Sequence, residues 1–287
     1  MKALFYLITL LPIGVVRIVT NLYCSLELHK SSKAFKVSLI NINFCYPDLK
    51  DYEKLNLATQ SIVETIISGY ETFQSWSRPI HISGEKIYRV ENNYLLSQNI
   101  RNKKGLIFIA IHNRSVDMLL KWVNSKTQTT TLYKKVKNNR LDAFVRSQRE
   151  AGNNKTFETN ISGVRKIYKA LISNNVICIA ADQVPADNMG EHIKLFNRDA
   201  YTTTLAASLA LKTKKPAIYC CINSTPENML SIVIRPCNKD IYSDSKHKLS
   251  VNKDIENLIN INPKDYSWEY KRFKKTLQGI EDPYLNI

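Results

Sequence analysis

A histidine and an aspartate with four residues between them are the strongest candidates for chemistry in this 287-residue chain. His112 directly follows the apolar run from Gly105 to Ile111, and Asp117 precedes a helix-like segment. Imidazole has an ordinary pKa near neutrality, so His112 can remove the proton from a hydroxyl nucleophile. The carboxylate of Asp117 can accept the second ring N–H and stabilise the imidazolium. The segment therefore predicts general base catalysis, with His112 as the base and Asp117 as its orienting acid.

The spacing of His112 and Asp117 alone is weak evidence, since a chain with five histidines can contain it by coincidence. The predicted strands and helices around the pair support a functional interpretation. Beyond about Pro79, short β-rich runs alternate with helical segments, which predicts a mixed, largely parallel α/β sheet flanked by helices. The runs cover residues 105–111, 129–133, 176–181, 216–222 and 230–234. A histidine at the end of such a strand lies where α/β proteins bind ligands. The alternative is a hydrogen-bonded surface histidine without a catalytic role.

The N-terminal part differs from the rest of the chain in its long apolar stretch. Residues 3–23 form an apolar stretch of about bilayer-spanning length, interrupted by Pro12 and Arg17. No small-residue cleavage site follows it, which favours a retained anchor over a removed signal peptide. A helix that spans the bilayer, a helix that lies in its surface and a soluble core helix all remain open.

Apolar residues recur at helical spacing from Ser31 to about Trp76, with a break near residues 43–49. This pattern predicts two or more helices before the β-rich part begins. We therefore divide the chain into an anchor helix over residues 1–24, a helical membrane-proximal region over 25–78 and an α/β domain over 79–287.

The amino-acid composition indicates which classes of binding partner to expect. The chain has 41 Lys and Arg residues against 25 Asp and Glu, a formal charge of +16, which favours anionic partners such as lipid headgroups or an acidic carrier protein. Nucleic acid is not expected, because no DNA- or RNA-binding motif is present. The eight glycines form no phosphate-binding loop, and no Gly-x-Ser-x-Gly elbow occurs. The six cysteines lack metal-ligand spacing and read as reduced thiols, so we expect neither a metal nor a cofactor.

Several separated segments resemble the late lipid A biosynthesis acyltransferases, a branch of the lysophospholipid-acyltransferase-like superfamily with a His-x4-Asp/Glu motif. The resemblance spans roughly residues 1–275 and is carried by the His112 motif, the segment from Asn43 to Pro47 and the segment from Asn262 to Trp268. It implies an enzyme at the cytoplasmic face of the bacterial inner membrane. That enzyme would move an acyl chain from an acyl carrier protein thioester to a hydroxyl of a lipid A precursor, against an anionic membrane surface.

The resemblance leaves some alternatives open. Coenzyme A is the other possible donor, and a glycerophospholipid, an ornithine lipid or a glycolipid is another possible acceptor. The chain departs from the family at Val184-Pro185-Ala186, where an acidic residue and glycine are usual, and a non-catalytic lipid-binding relative is therefore a further interpretation.

Further site residues follow from the resemblance. Arg149 would stabilise the oxyanion or hold the reacting acyl group, and the alternative is a solvated charge on a basic helix. The positions expected to shape the substrate pockets are Tyr133, Asn138, Asp142, Asp182, Gln183 and Thr203. Asp182 can alternatively cap a loop after a strand, and Thr203 can belong to a helix start.

Overall fold

The computed structural model describes residues 2–287, in which helices and strands alternate after an all-helical beginning. The helices are α1 (Lys2–Ile8), α2 (Ile13–Ser25), α3 (Lys33–Cys45), α4 (Asp51–Ser77), α5 (Ile80–Ser83), α6 (Asn93–Asn102), α7 (Val116–Asn124), α8 (Asn139–Arg149), α9 (Ile161–Ile172), α10 (Leu205–Thr213) and α11 (His247–Ile261). The strands are β1 (Ile87–Glu91), β2 (Leu106–Ala110), β3 (Thr129–Tyr133), β4 (Lys155–Glu158), β5 (Val176–Ala180), β6 (Gly190–Leu195), β7 (Arg198–Thr203), β8 (Ala217–Ser224) and β9 (Leu230–Pro236).

Seven of these strands form one sheet in the order β1–β9–β8–β2–β5–β3–β4. Neighbouring strands are parallel throughout, except that β8 and β9 are antiparallel. The strands β6 and β7 form a separate antiparallel hairpin. The prediction of a mixed, largely parallel sheet flanked by helices is therefore confirmed.

Alternating side chains of the central strands face two apolar cores. Ile107 and Ile109 of β2 pack with α9, α10 and α11, whereas Phe108 and Ala110 pack on the other face with α6 and α7. Both faces are covered, as a parallel sheet requires, and this explains why the central strands read as continuous apolar runs.

The predicted anchor helix is broken in two. Pro12 forms the extended N-cap of α2, and α1 and α2 meet at an angle of 74°. The residue before a proline is disfavoured in the α conformation, which explains the break. Within the described residues neither helix alone is long and apolar enough to cross a membrane, whereas the bent pair passes that test by length and composition.

The outer faces of α1 and α2 carry large apolar side chains that are more than half exposed. They include Leu4, Leu7, Ile18, Val19 and Leu22. Both helices also pack on the long helix α4, so they are attached to the body of the protein while their outer faces expose apolar side chains.

Candidate active site

The order of the strands brings His112 and Asp182 together. The strands β2 and β5 are parallel neighbours, and the last residues of the two, Ala110 and Ala180, are partners in the register. His112 and Asp182 each lie two positions beyond this pair, so both leave the sheet at the same edge. Neighbouring parallel strands thus place two side chains in contact that are 70 positions apart in the chain.

Two hydrogen bonds join His112 to the Asp182 carboxylate. The backbone N–H of His112 donates to Oδ2 at 2.8 Å, and Nδ1 of the ring lies 2.8 Å from Oδ1. Asp182 is 1% exposed, whereas the side chain of His112 is 26% exposed. With Nδ1–H donating to the carboxylate, Nε2 is the ring nitrogen left to accept a proton from a substrate.

The charges around His112 make it a stronger base. Burial alone would lower the pKa of His112, but the Asp182 carboxylate, followed by Glu269 and Asp117, offsets this and raises the pKa above its ordinary value. Burial likewise opposes the charge of Asp182, yet the His112 ring and backbone N–H keep the pKa of that carboxyl below its usual range. Asp182 therefore remains ionised and favours the imidazolium form of His112.

The partner of Asp117 differs from the prediction. The Asp117 carboxylate, in the first turn of α7, accepts two hydrogen bonds from Arg149, at 2.7 Å from Nε and 2.9 Å from Nη2. This paired geometry fixes both groups at the start of α7 and the end of α8. Asp182, rather than Asp117, lies at Nδ1 of His112. The reason is the strand order, since β5 is the parallel neighbour of β2 and its end places Asp182 directly beside the ring.

Tyr133, Asn138 and Asp142 form a second cluster beside Arg149. The Tyr133 hydroxyl donates to Asp142 at 3.2 Å, and the backbone N–H of Val136 donates to the same carboxylate at 2.8 Å. Asn138 caps α8 through hydrogen bonds from two backbone N–H groups at 3.0 Å. The guanidinium of Arg149 lies 6.0 Å from the centroid of the Tyr133 ring. These contacts hold the loop between β3 and α8 in place beside Arg149.

The two remaining predicted positions, Gln183 and Thr203, do not belong to the cluster beside Arg149. Gln183 is half-buried directly after Asp182, at the mouth of the strand-end site. Thr203 lies at the end of β7, where its hydroxyl accepts from the backbone N–H of Leu205 at 3.4 Å, which fits the alternative of a helix start. A cavity of about 620 Å³ lies between the end of α3, the β6–β7 hairpin and the C-terminal segment, and its lining includes neither His112 nor Asp182.

Asp117 and Arg149 line a narrow cleft with Trp76 and Lys121. An aromatic cluster lies beside this cleft, with Phe5 stacked on Phe73 at 4.8 Å and Trp76 against Phe144 at 6.3 Å between ring centroids. The four rings come from α1, α4 and α8. An apolar wall therefore runs from the N-terminal helices to the charged pair.

Sequence reasoning missed the contributions of the C-terminal segment and of α4. Glu269 influences the charge of His112 and accepts a hydrogen bond from Thr65 at 3.0 Å. Arg114, inside the His112 motif, is buried and paired with Glu64 and Glu71 of α4. Glu64 and Glu71 are seven positions apart among the apolar residues of α4, and this spacing could have indicated a buried cation beside them. The sequence alone does not identify that cation as Arg114.

At the strand ends of the α/β sheet, a partly exposed histidine is thus paired with a buried aspartate. Residues 1–275 match the family described as bacterial lipid A biosynthesis acyltransferase. A lipid A biosynthesis lauroyltransferase from Escherichia coli (strain K12) is 20% identical over 298 residues, covering 97% of this chain and 95% of that protein. The chain belongs to the lipid A biosynthesis acyltransferase family. It is an O-acyltransferase of lipid A biosynthesis, which requires an acyl donor and a lipid acceptor.

Proposed function

We propose that this enzyme transfers a fatty acyl chain from an acyl carrier protein thioester to a hydroxyl of a lipid A precursor, with His112 as the general base. The observation that carries the proposal is the His112–Asp182 pair, with hydrogen bonds of 2.8 Å, in a chain of this family. Asp182 orients the ring in this scheme, and Asp117 positions Arg149.

The reaction follows from the free ring nitrogen. Nε2 of His112 takes the proton as the acceptor oxygen attacks the thioester carbonyl, which forms the new C–O bond and a tetrahedral oxyanion. Collapse of the oxyanion breaks the C–S bond, and the proton passes from Nε2 to the departing thiolate. Asp182 stabilises the imidazolium between these two steps, so the transfer is direct and needs no acyl-enzyme.

Arg149 is suited to the oxyanion. Among the described residues its hydrogen bonds to Asp117 use Nε and Nη2, which leaves Nη1 pointing away from that pair. A fixed donor in a partly dry cleft can lower the barrier for a developing oxyanion by several kcal/mol. Asp117 thus supports catalysis by holding the guanidinium still.

The aromatic cluster beside Arg149 is a suitable wall for the acyl chain, since it is apolar and continues toward the exposed faces of α1 and α2. We propose that these faces rest on the cytoplasmic side of the bacterial inner membrane, where anionic lipid attracts a chain of formal charge +16. The acceptor would then reach His112 without leaving the lipid layer.

An acidic carrier protein is the donor we expect, because the loop after β3 places several cations near the strand-end site. Lys134, Lys135, Lys137 and Arg140 are exposed, and this stretch contains no acidic residue. Lys134 also acts electrostatically on Tyr270, whose hydroxyl accepts from the backbone N–H of Val184 at 3.1 Å, two positions after Asp182. Turnover should therefore fall as the salt concentration rises.

The decisive experiment is mass spectrometry of lipid products. Purified wild type, His112→Gln and His192→Gln each receive acyl carrier protein thioesters and a tetra- or penta-acylated lipid A precursor. His192 is the matched control, because its ring contacts the backbone carbonyl of Lys275 at 3.1 Å and not Asp182.

We expect a new acyl ester from wild type and His192→Gln and almost none from His112→Gln. Product from coenzyme A thioesters alone would replace the proposed donor. Product only with another lipid would replace the proposed acceptor. Equal product from His112→Gln would contradict the role of His112.

A further inference from the structure

A chain of ion pairs runs from the second N-terminal helix, where Arg17 is partly exposed, to the buried Arg114 in the loop that carries His112. Arg17 on α2 donates to both carboxylate oxygens of Glu64 on α4, at 2.8 and 3.2 Å. Arg114, two positions after His112, donates to Glu64 and to Glu71. Glu64 therefore accepts from two arginines, one on the helix with the apolar outer face and one beside the catalytic histidine.

The backbone at Arg114 requires support. Its φ is +54°, in the left-handed region that residues with a Cβ rarely adopt. This residue turns the chain between His112 and the first turn of α7. Its N–H donates to the carbonyl of Asp265 at 3.0 Å, and the N–H of Ser267 donates to the carbonyl of His112 at 3.0 Å. The side-chain ion pairs below the loop thus hold a turn that the backbone alone disfavours.

The network is charged as well as buried. Arg114 is 3% exposed, and Asp265 lies 3.6 Å from the same guanidinium. Burial alone would raise the pKa of Glu64, but Arg17 and Arg114 hold it below its ordinary value. Removal of either guanidinium would leave a buried carboxylate short of compensation, which destabilises the network that supports the loop.

We propose that Arg114 is a positioning residue for His112, and that Arg17 makes the seating of α2 part of that support. The proposal rests on the proposed function, in which His112 is the base. Its consequence is that helix α2 and the loop that carries His112 are coupled, because Arg17 and Arg114 share Glu64. A second tie supports the same loop, since the hydroxyls of Ser115 and Thr72 lie 2.8 Å apart.

The test compares Arg17→Met and Arg114→Lys with the control Arg78→Met. Arg78 also fastens the N-terminal helices to α4, through hydrogen bonds of 3.1 and 2.6 Å to Thr9, but it contacts neither Glu64 nor Arg114. We expect kcat to fall about tenfold or more in Arg114→Lys and a few fold in Arg17→Met, with KM within about twofold. Arg78→Met should match wild type in both.

A second readout does not depend on turnover. Histidine-labelled protein in detergent micelles is titrated by NMR, and His112 is assigned from the signal that His112→Gln lacks. The groups that face its ring are Asp182 from the end of β5, Glu269 from the C-terminal segment and Asp117 from α7, all of which raise its pKa. A displaced loop loosens these contacts. The midpoint should therefore fall by roughly half a pH unit in Arg114→Lys and measurably in Arg17→Met, but not in Arg78→Met.

The outcomes separate this inference from the proposed reaction. An unchanged His112 midpoint in folded Arg114→Lys, or an Arg17→Met protein identical to Arg78→Met, would overturn the inference. If Arg114→Lys does not fold, the comparison of Arg17→Met and Glu64→Gln with Arg78→Met decides it. Should wild type transfer no acyl chain, the proposed reaction fails while the NMR titration still decides whether the ion chain reaches His112.

Discussion

Two regions of this protein reverse the usual distribution of polar and apolar groups. At the ends of β2 and β5, a carboxylate that is 1% exposed is paired with a histidine, whereas Ile18 on α2 is 68% exposed. Burial of a charge is costly unless it is paired, and an exposed apolar surface is unfavourable unless something covers it. The first reversal is resolved inside the fold by His112. The second leaves apolar side chains exposed on the N-terminal helices, and the proposed function has a lipid layer cover them.

The largest expected effect tests whether the buried pair acts as one unit. His112→Gln should reduce kcat about 10³-fold, because His112 is the histidine that contacts Asp182 and glutamine cannot take up a proton in its place. The double variant His112→Gln/Asp182→Asn should lose hardly more, since an orienting carboxylate has no role without the base. Single-turnover assays with circular dichroism as the folding control measure this. Multiplicative losses in the double variant would mean that Asp182 acts independently of His112.

The next effect tests the role of Asp182 through the pH dependence of kcat/KM. The base must be neutral to act, so kcat/KM falls as the pH drops through the raised pKa of His112. Asp182→Asn removes the main charge that raises this pKa, after which burial dominates. We expect kcat to fall about 10²-fold and the acid limb of the profile to move to lower pH. An acid limb at an unchanged pH would exclude Asp182 as the charge that raises the pKa of His112.

A smaller effect distinguishes the two aspartates. Asp117 is bound to Arg149 and contributes less to the charge of His112 than Asp182 does. Asp117→Asn should therefore lower kcat about tenfold, through a less well fixed guanidinium, and displace the acid limb less than Asp182→Asn. A larger displacement than that of Asp182→Asn would restore Asp117 as the orienting acid, as the sequence suggested. The pH profiles of both variants are measured side by side.

Local patterns predicted the sheet interior well. The five predicted strands are present with ends shifted by at most two residues, because β-branched apolar runs buried on both faces leave a strong signal. The strands β1 and β4 were missed, since they lie at the sheet edges and carry exposed charged residues such as Arg89 and Lys155. The β6–β7 hairpin was also missed. Its turn places Phe196 and Asn197 at positive φ, and the phenylalanine is not a typical turn residue.

The site shows where local spacing stops being informative. His112 was selected from its place at the end of a strand, whereas Asp182 came from the resemblance and was expected to shape a substrate pocket. The orienting role was predicted for Asp117, because spacing can pair only neighbours along the chain. The pairing of His112 with Asp182 depends on β5 lying next to β2, which is a property of the strand order. The same holds for Arg114, whose carboxylate partners come from a helix more than 40 positions earlier in the chain.

The smallest effect concerns the exposed region and should leave the buried one untouched. The double variant Ile18→Ser/Leu22→Ser removes two exposed apolar side chains from α2. If this face enters a lipid layer, affinity for anionic phospholipid vesicles should fall about tenfold. The matched control is Ile161→Ser/Ile172→Ser, which removes two exposed isoleucines from α9 instead.

Vesicle co-sedimentation of both double variants, with turnover in detergent micelles as a second measurement, separates the two regions. The α2 variant should lose vesicle binding and retain kcat in micelles, because neither Ile18 nor Leu22 belongs to the ion chain through Arg17. Equal loss in the α9 control would show that general hydrophobicity, and not this face, governs binding. Full binding by the α2 variant would mean that the apolar surface of the N-terminal helices is covered by something other than lipid.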